Sequence, residues 1–154
     1  MIIREYNDKD FTEWKRLRAK LWPETSGSEH EEEMKTISSG GCFEDELGWK
    51  VFVLSEGDAL YGFVEISLHE GIDVFDDEPV GYLEGWYIDD NQRNKGYGRL
   101  LTEKAEEWSK SKGCMAMASD VEFDNEISLA AHKKLGYEVV DKDDECFILI
   151  KKFV

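Results

Sequence analysis

The sequence predicts an α/β fold: a mixed central sheet flanked by helices, in the order β-α-α-β-β-β-α-β-α-β-β. Three observations predict it. Stretches of strand-type residues alternate with stretches whose apolar residues recur at helical spacing, the pattern of helices laid on the faces of a sheet. A strand, a glycine-containing turn and a helix follow one another from Gly81 to Gly113. The chain has 154 residues, enough for one sizeable core and short for two, with no internal repeat or low-complexity linker. One domain over residues 1–154 is expected.

Taken in order, residues 1–6 suit a first strand. Asn7 or Asp8 then caps a helix whose apolar residues Phe11, Trp14, Leu17 and Leu21 are three or four apart, and Pro23 ends it beside Trp22. Residues 28–37 form a second, acidic helix with Met34 and Ile37 inward and Glu31, Glu32 and Glu33 on a solvated face. Ser38-Ser39-Gly40-Gly41 breaks the chain. Trp49–Leu54 and Ala59–Leu68 are paired strands across the turn Glu56-Gly57-Asp58, and Gly62 marks a bulge or a close approach. The acidic loop 69–80 suits a connector, a dimer contact or a rim over a cationic ligand. Tyr82–Ile88 is the central strand, and Leu100, Leu101, Ala105 and Trp108 define the helix that stops at Gly113. Cys114–Ala118 is a further strand. Asp124 or Asn125 caps a helix through Lys134, which Gly136 closes. Tyr137–Val140 and Cys146–Ile150 are the last strands, across a polar turn at 141–145.

Between the central strand and its helix lies Arg93-Asn94-Lys95-Gly96-Tyr97-Gly98. Glycine lets the backbone approach a ligand closely, the first amides of a helix lack internal partners, and the dipole is positive there. Together these make a seat for phosphate. It is neither a Walker loop, since no Gly-Lys-Ser/Thr follows, nor a dinucleotide fingerprint, since the third glycine is missing. A turn that uses two glycines for geometry alone fits the same residues.

Composition narrows the partners. Lys plus Arg number 19 against 35 Asp plus Glu, a net charge of −16 that repels nucleic acid and anionic membranes and attracts cations. No run reaches membrane-spanning length, and Met1-Ile2-Ile3-Arg4-Glu5 begins a strand rather than a signal peptide. Cys42, Cys114 and Cys146 are odd in number and form no CxxC, which points to a reduced, cytoplasmic protein with packed thiols. His30, His69 and His132 show no metal-ligand spacing, so no metal is expected.

Arg93-x-x-Gly96-x-Gly98, placed after a strand and opening a helix, resembles the acetyl-CoA pyrophosphate loop of the GNAT acetyltransferase superfamily. Asn125-x-x-Ser128-x-x-x-His132-x-x-Leu135-Gly136-Tyr137 resembles that superfamily's late helix and strand, so the whole chain is covered. With Leu21-Trp22-Pro23, Leu83-Glu84-Gly85 and Met117-Ala118-Ser119-Asp120, the chain looks like the bacterial aminoglycoside 6′-N-acetyltransferases. The resemblance implies the GNAT fold, acetyl-CoA as co-substrate, a cationic aminoglycoside as acceptor and a homodimer. It places Trp22, Glu84, Asp120 and Asp141 around the acceptor. It places the backbone of Trp86, Tyr87 and Ile88 along the acetyl and pantetheine arm. Arg93 and the residues Asn94, Lys95, Gly96, Tyr97, Gly98 and Arg99 fall at the pyrophosphate, and Asn125 on the coenzyme. The superfamily often has tyrosine where His132 stands, and Gly71 stands where related enzymes bring an aromatic.

The implied reaction is acyl transfer from a thioester to a primary amine by direct attack, because no activated nucleophile is evident. An alkylammonium with a pKa of roughly 8–10 must lose a proton first. Glu84 or Asp120 is placed to accept it, directly or through a water, or else to hold ammonium groups by charge pairing. A backbone amide near Tyr87–Ile88 would steady the oxyanion. His132 is a candidate acid for the leaving thiolate, or a packing residue near the glycine cap.

Overall fold

The computed structural model describes residues 1–40, 46–70 and 78–153. Cys42, Gly41, Gly71 and most of the acidic loop lie outside the described residues. The elements follow the expected order: β1 (Ile2–Glu5), α1 (Phe11–Leu21), α2 (Gly27–Ser38), β2 (Glu46–Glu56), β3 (Ala59–His69), β4 (Val80–Ile88), α3 (Tyr97–Ser111), β5 (Ala116–Glu122), α4 (Glu126–Lys134), β6 (Glu138–Lys142) and β7 (Cys146–Lys152). One seven-stranded sheet runs β1-β2-β3-β4-β5-β7-β6. Every pairing is antiparallel except β4–β5, which is parallel because α3 carries the chain across between them.

The helices divide between the two faces. Trp14 and Leu17 of α1 and Met34 and Ile37 of α2 pack on Val51, Val53 and Phe63 of the sheet. Burying each such side chain contributes roughly 1.5–3 kcal/mol. On the other face Leu101 and Ala105 of α3 meet Leu54, Val64, Ile66, Leu83, Met117 and Leu149. α4 adds Leu129 and buried His132 to this side, and Tyr137 follows it.

Several local expectations shift. Asn7 does cap, but it caps a short 3-10 turn, Asp8–Asp10, in a reciprocal capping box with Asp10, and α1 begins after it. The acidic face of α2 is only partly solvated. Glu31 pairs with Lys15 at 2.9 Å and Glu33 with Arg18 at 2.7 Å, because α2 packs alongside α1 and brings its carboxylates over α1's cations. β5 starts at Ala116 rather than Cys114, whose amide still closes α3 by donating to Ser109 O. It then runs on through Asp120 to Glu122. Asp141, expected in a turn, lies within β6. Gly62 is both things expected of it: the β2–β3 register shifts beside it, and a Cβ there would meet Tyr87 O at 2.8 Å.

Candidate functional site

The site begins where the sheet comes apart. β4 and β5 pair only through Gly81–Met117, Tyr82–Ala118 and Leu83–Ser119. Beyond Leu83, β4 stays with β3 while β5 continues along β7 to Glu122. A bulge lies at the parting: Glu65 faces Gly85 and Ile66 faces Leu83, which leaves Glu84 as the extra residue. A bulge bends its strand and re-aims its side chains. Past it, the open edge of β4 has no strand partner among the described residues. Asp89 N–H donates to Tyr61 O at 2.8 Å, so strand alternation turns the amides of Trp86 and Ile88 toward that open edge.

A cleft of about 470 Å³ occupies the opening. Trp86, Tyr87 and Ile88 form its floor, Arg93, Asn94, Tyr97 and Gly98 one wall, and Asn125, Ile127, Ser128 and Ala131 the other. Lys20 and Leu21 of α1 reach its rim; neither was anticipated, although their adjacency to Trp22 is visible in the sequence.

The glycine loop has the form expected of an anion seat. Asn94 and Gly96 take positive φ, 63° and 86°, and no side chain caps α3. Its first-turn amides therefore point out of the helix end unpartnered by the helix. Gly98 is tightly placed: a Cβ would stand 3.0 Å from the Trp86 ring, whose Nε1–H donates to Gly98 O at 3.2 Å. Arg93 is largely committed to the protein, donating to Ile88 O at 2.9 Å, pairing with Asp90 at 3.0 Å and lying over Tyr87. It braces the loop onto β4. Lys95 is exposed, and Arg99 shares an adjoining groove with Lys134. Asn125 accepts from Ser128 N–H at 3.1 Å, so it caps α4 at the wall of the cleft.

His132 is buried to 4 % exposure and both ring nitrogens face protein. Nδ1 lies 2.8 Å from Ser128 O, which can only accept, so Nδ1 carries the proton. Nε2 lies 2.9 Å from Ser119 Oγ and accepts from it. Burial lowers the imidazole's pKa against smaller raising effects of the Ser128 bond and Asp120, and the ring is wedged edge-on against Trp86 and Tyr137.

The acidic residues collect on the opposite face, on the α1–α2 side. Glu84 is half-buried and stands 4.0 Å from His69 Nε2. Asp120 accepts from Tyr82 Oη at 2.6 Å, and the His69 ring lies 5.0 Å from that of Tyr82. Burial first, then Asp120, raises the Tyr82 pKa, so it stays a protonated donor. Ile148 pairs with both Asp120 and Asp141, so the three form one row across β5, β7 and β6 on a single face. Trp22 completes the group: a Cβ on Gly85 would lie 2.7 Å from its ring. Tyr82 and His69 were not foreseen; strand alternation puts Tyr82 two residues from Glu84, a signal the sequence carries.

Other chemistry has less footing. Cys114 is buried, which raises its thiol's pKa, and Cys146 is raised by partial burial and nearby carboxylates, Asp120 foremost. Among the described residues no cluster of three or more metal-ligating side chains occurs, and no helix is long and apolar enough to cross a membrane.

A mixed sheet split at its one parallel pairing, with a helix N-terminus aimed along the split, defines an acyltransferase-type fold. The chain belongs to the acetyltransferase (GNAT) family, whose profile matches residues 12–137. It is 32% identical over 139 residues to the aminoglycoside N(6′)-acetyltransferase type 1 of Klebsiella aerogenes, covering 90% of each chain. It is 30% identical over 142 residues to that of Stenotrophomonas maltophilia, covering 91% of this chain and 88% of the relative. Among solved structures, it superposes with a TM-score of 0.81 on the aminoglycoside N-acetyltransferase AAC(6′)-Iy in complex with CoA, at 28% identity over 92% of this chain and 90% of that one. The same score holds for AAC(6′)-Iy with a bisubstrate analogue, CoA-S-monomethyl-acetylneamine, at 28% identity over 92% of this chain and 93% of the other.

Proposed function

We propose that this chain is an acetyl-CoA-dependent aminoglycoside 6′-N-acetyltransferase of the kind that confers antibiotic resistance. One observation carries the reading: β4 and β5 part just after Leu83 and Ser119, so Glu84 and Asp120 are the first residues on either side of the split, with Asp141 in the row of Asp120 and Trp22 against Gly85. In this reading the amides of the α3 N-terminus and the loop 94–99 hold the pyrophosphate, and Asn125 and the open edge of β4 hold the pantetheine arm.

The acceptor nitrogen attacks the thioester carbonyl carbon, the C–S bond breaks, and the coenzyme leaves as thiolate. Glu84 or Asp120 takes the ammonium proton, directly or through water. The outward amide of Ile88 or Trp86 steadies the oxyanion. Water protonates the thiolate, since both nitrogens of His132 are engaged within the protein; that engagement supports His132 as a packing residue. The protein acts as one acetyltransferase domain over residues 1–154, cytoplasmic and homodimeric. Cys114 and Cys146, free thiols among the described residues, support a reducing compartment, and the exposed strand β6 at the sheet edge supports a partner.

The test is free-thiol release from acetyl-CoA with kanamycin, with spermidine and a basic peptide as comparison acceptors. Turnover with kanamycin and not with an analogue carrying a 6′ hydroxyl is expected. Turnover with spermidine or the peptide alone keeps the fold and changes the acceptor. Coenzyme binding without any turnover overturns the enzyme.

A further inference from the structure

Beneath the acceptor wall lies an ion pair that the chemistry above does not use. Arg18 of α1 is 2 % exposed and Glu65 of β3 is 1 % exposed, with Arg18 Nε 3.0 Å from Glu65 Oε2. Trp14 Nε1–H donates to the same carboxylate at 3.0 Å. A second carboxylate, Glu33 of α2, meets Arg18 Nη2 at 2.7 Å, and Arg18 Nη1 donates to His30 O at 3.3 Å. Arg18 thus ties α1, α2 and the sheet together from inside.

Such an arrangement is poorly explained by stability. Removing two charges from water is costly, and replacing a buried pair by apolar side chains of similar volume is often neutral or stabilising. What the pair does do is set an aromatic ring. The guanidinium lies between Trp14 and Trp22, each one helical turn away, at 5.8 and 4.8 Å from the ring centroids. His30 stacks on Trp22 at 6.4 Å with its Nε2 3.3 Å from Trp22 O. The benzo edge of the Trp22 ring presses on Gly85, the residue opposite Glu65 in the ladder and next to Glu84. Carboxylate, guanidinium, indole and bulge therefore form one closed circuit of contacts.

We propose that Arg18, held by Glu65 and Glu33, is a positioning residue that fixes the Trp22 ring against Gly85, so that the wall receiving the cationic acceptor is preformed. This rests on the acceptor-site reading above. Lysine cannot replace it, because an ammonium offers no planar face to stack on the indole and no fork to join Glu65, Glu33 and the His30 carbonyl.

The test compares wild type, R18K and the double variant R18M/E65L. Each is measured for acceptor KM with kanamycin, kcat at saturation, acetyl-CoA affinity by calorimetry, and melting temperature. Trp22 emission is read as the difference from the W22F form of each. The expected result is a kanamycin KM raised about tenfold in both variants, with kcat within threefold, coenzyme affinity unchanged and a shifted Trp22 difference spectrum. The double variant leaves the buried Trp14 Nε1–H without its acceptor, so its melting temperature serves only to show that it folds. An unchanged KM with an unchanged Trp22 spectrum overturns the proposal and leaves Arg18 structural. If the double variant does not fold, R18K decides alone. If kanamycin is no substrate at all, the acceptor reading fails, while the Trp22 spectrum still decides what Arg18 does.

Discussion

Replacing His132 with phenylalanine separates an acid from a packing residue. The substitution removes an Nδ1–H donor to Ser128 O and an Nε2 acceptor for Ser119. Neither partner is left wholly bare. Ser128 O still receives the ordinary helical bond, and Ser119 Oγ has Leu83 O at 3.5 Å as an alternative acceptor. The net cost is then about that of one buried hydrogen bond, ~1–2 kcal/mol. At roughly 2–4 °C per kcal/mol for a chain of this size, the melting temperature should fall by about 2–8 °C. Turnover at 25 °C should stay within about threefold of wild type, because a neutral imidazole with both nitrogens engaged has no proton to hand to a thiolate. Asparagine, whose side-chain amide nitrogen approximates the Nδ1 position, should recover part of the lost stability. The assay is thiol release at saturating acetyl-CoA and acceptor, with coenzyme affinity measured in parallel. A fall in kcat of about 10²-fold or more with coenzyme affinity intact would refute the reasoning, since that is the scale of a lost general acid.

Three further outcomes are expected. In G85A the new Cβ would start 2.7 Å from Trp22 and 3.3 Å from Phe63, so the indole must retreat by about 1 Å. Acceptor KM should rise about tenfold and stability fall by about 1–3 kcal/mol, with coenzyme affinity unchanged; equal losses for both substrates would count against the wall. Acceptor KM should also climb as salt is raised from 50 to 500 mM (roughly from one and a half to under half a nanometre of screening length), and a flat response would remove the acidic capture site. The third concerns pH. Burial, partly offset by Arg18 and the Trp14 bond, pushes Glu65 from 4.5 up to about 7. A raised carboxyl holds its proton more tightly in the folded state, so its contribution is full below 4.5 and is lost as pH rises through 7. Calorimetric melting should show wild type losing up to roughly 3 kcal/mol relative to E65Q between pH 5 and 8; parallel profiles would exclude it. His132 acts in the other direction: its lowered value makes stability fall as pH drops below 6.5, an effect H132F should lack.

Much of this protein was readable before any coordinates. The order of elements follows from local patterning, since Phe11, Trp14, Leu17 and Leu21 mark a helix face wherever it packs. The geometry of the glycine loop was equally legible, because positive φ and free first-turn amides are set by residues within one turn of Gly96. Asp141 sat close enough to the end of its strand that the boundary slipped by a few residues, and Cys114 was misjudged because the helix closure borrowed its amide.

The sequence by itself therefore determined which segments are helix, strand and glycine-containing turn, because each depends on neighbours a few residues away. Only the tertiary structure decided where the sheet parts, that Glu84 is the bulged residue, and that Asp120 and Asp141 share one face through Ile148. The same holds for the circuit of contacts that seats Trp22, in which Glu65, Arg18 and Gly85 meet from three elements. Register and burial come from pairings between residues tens of positions apart. A one-residue change in pairing would turn these side chains to the other face, and no local pattern records which pairing prevails.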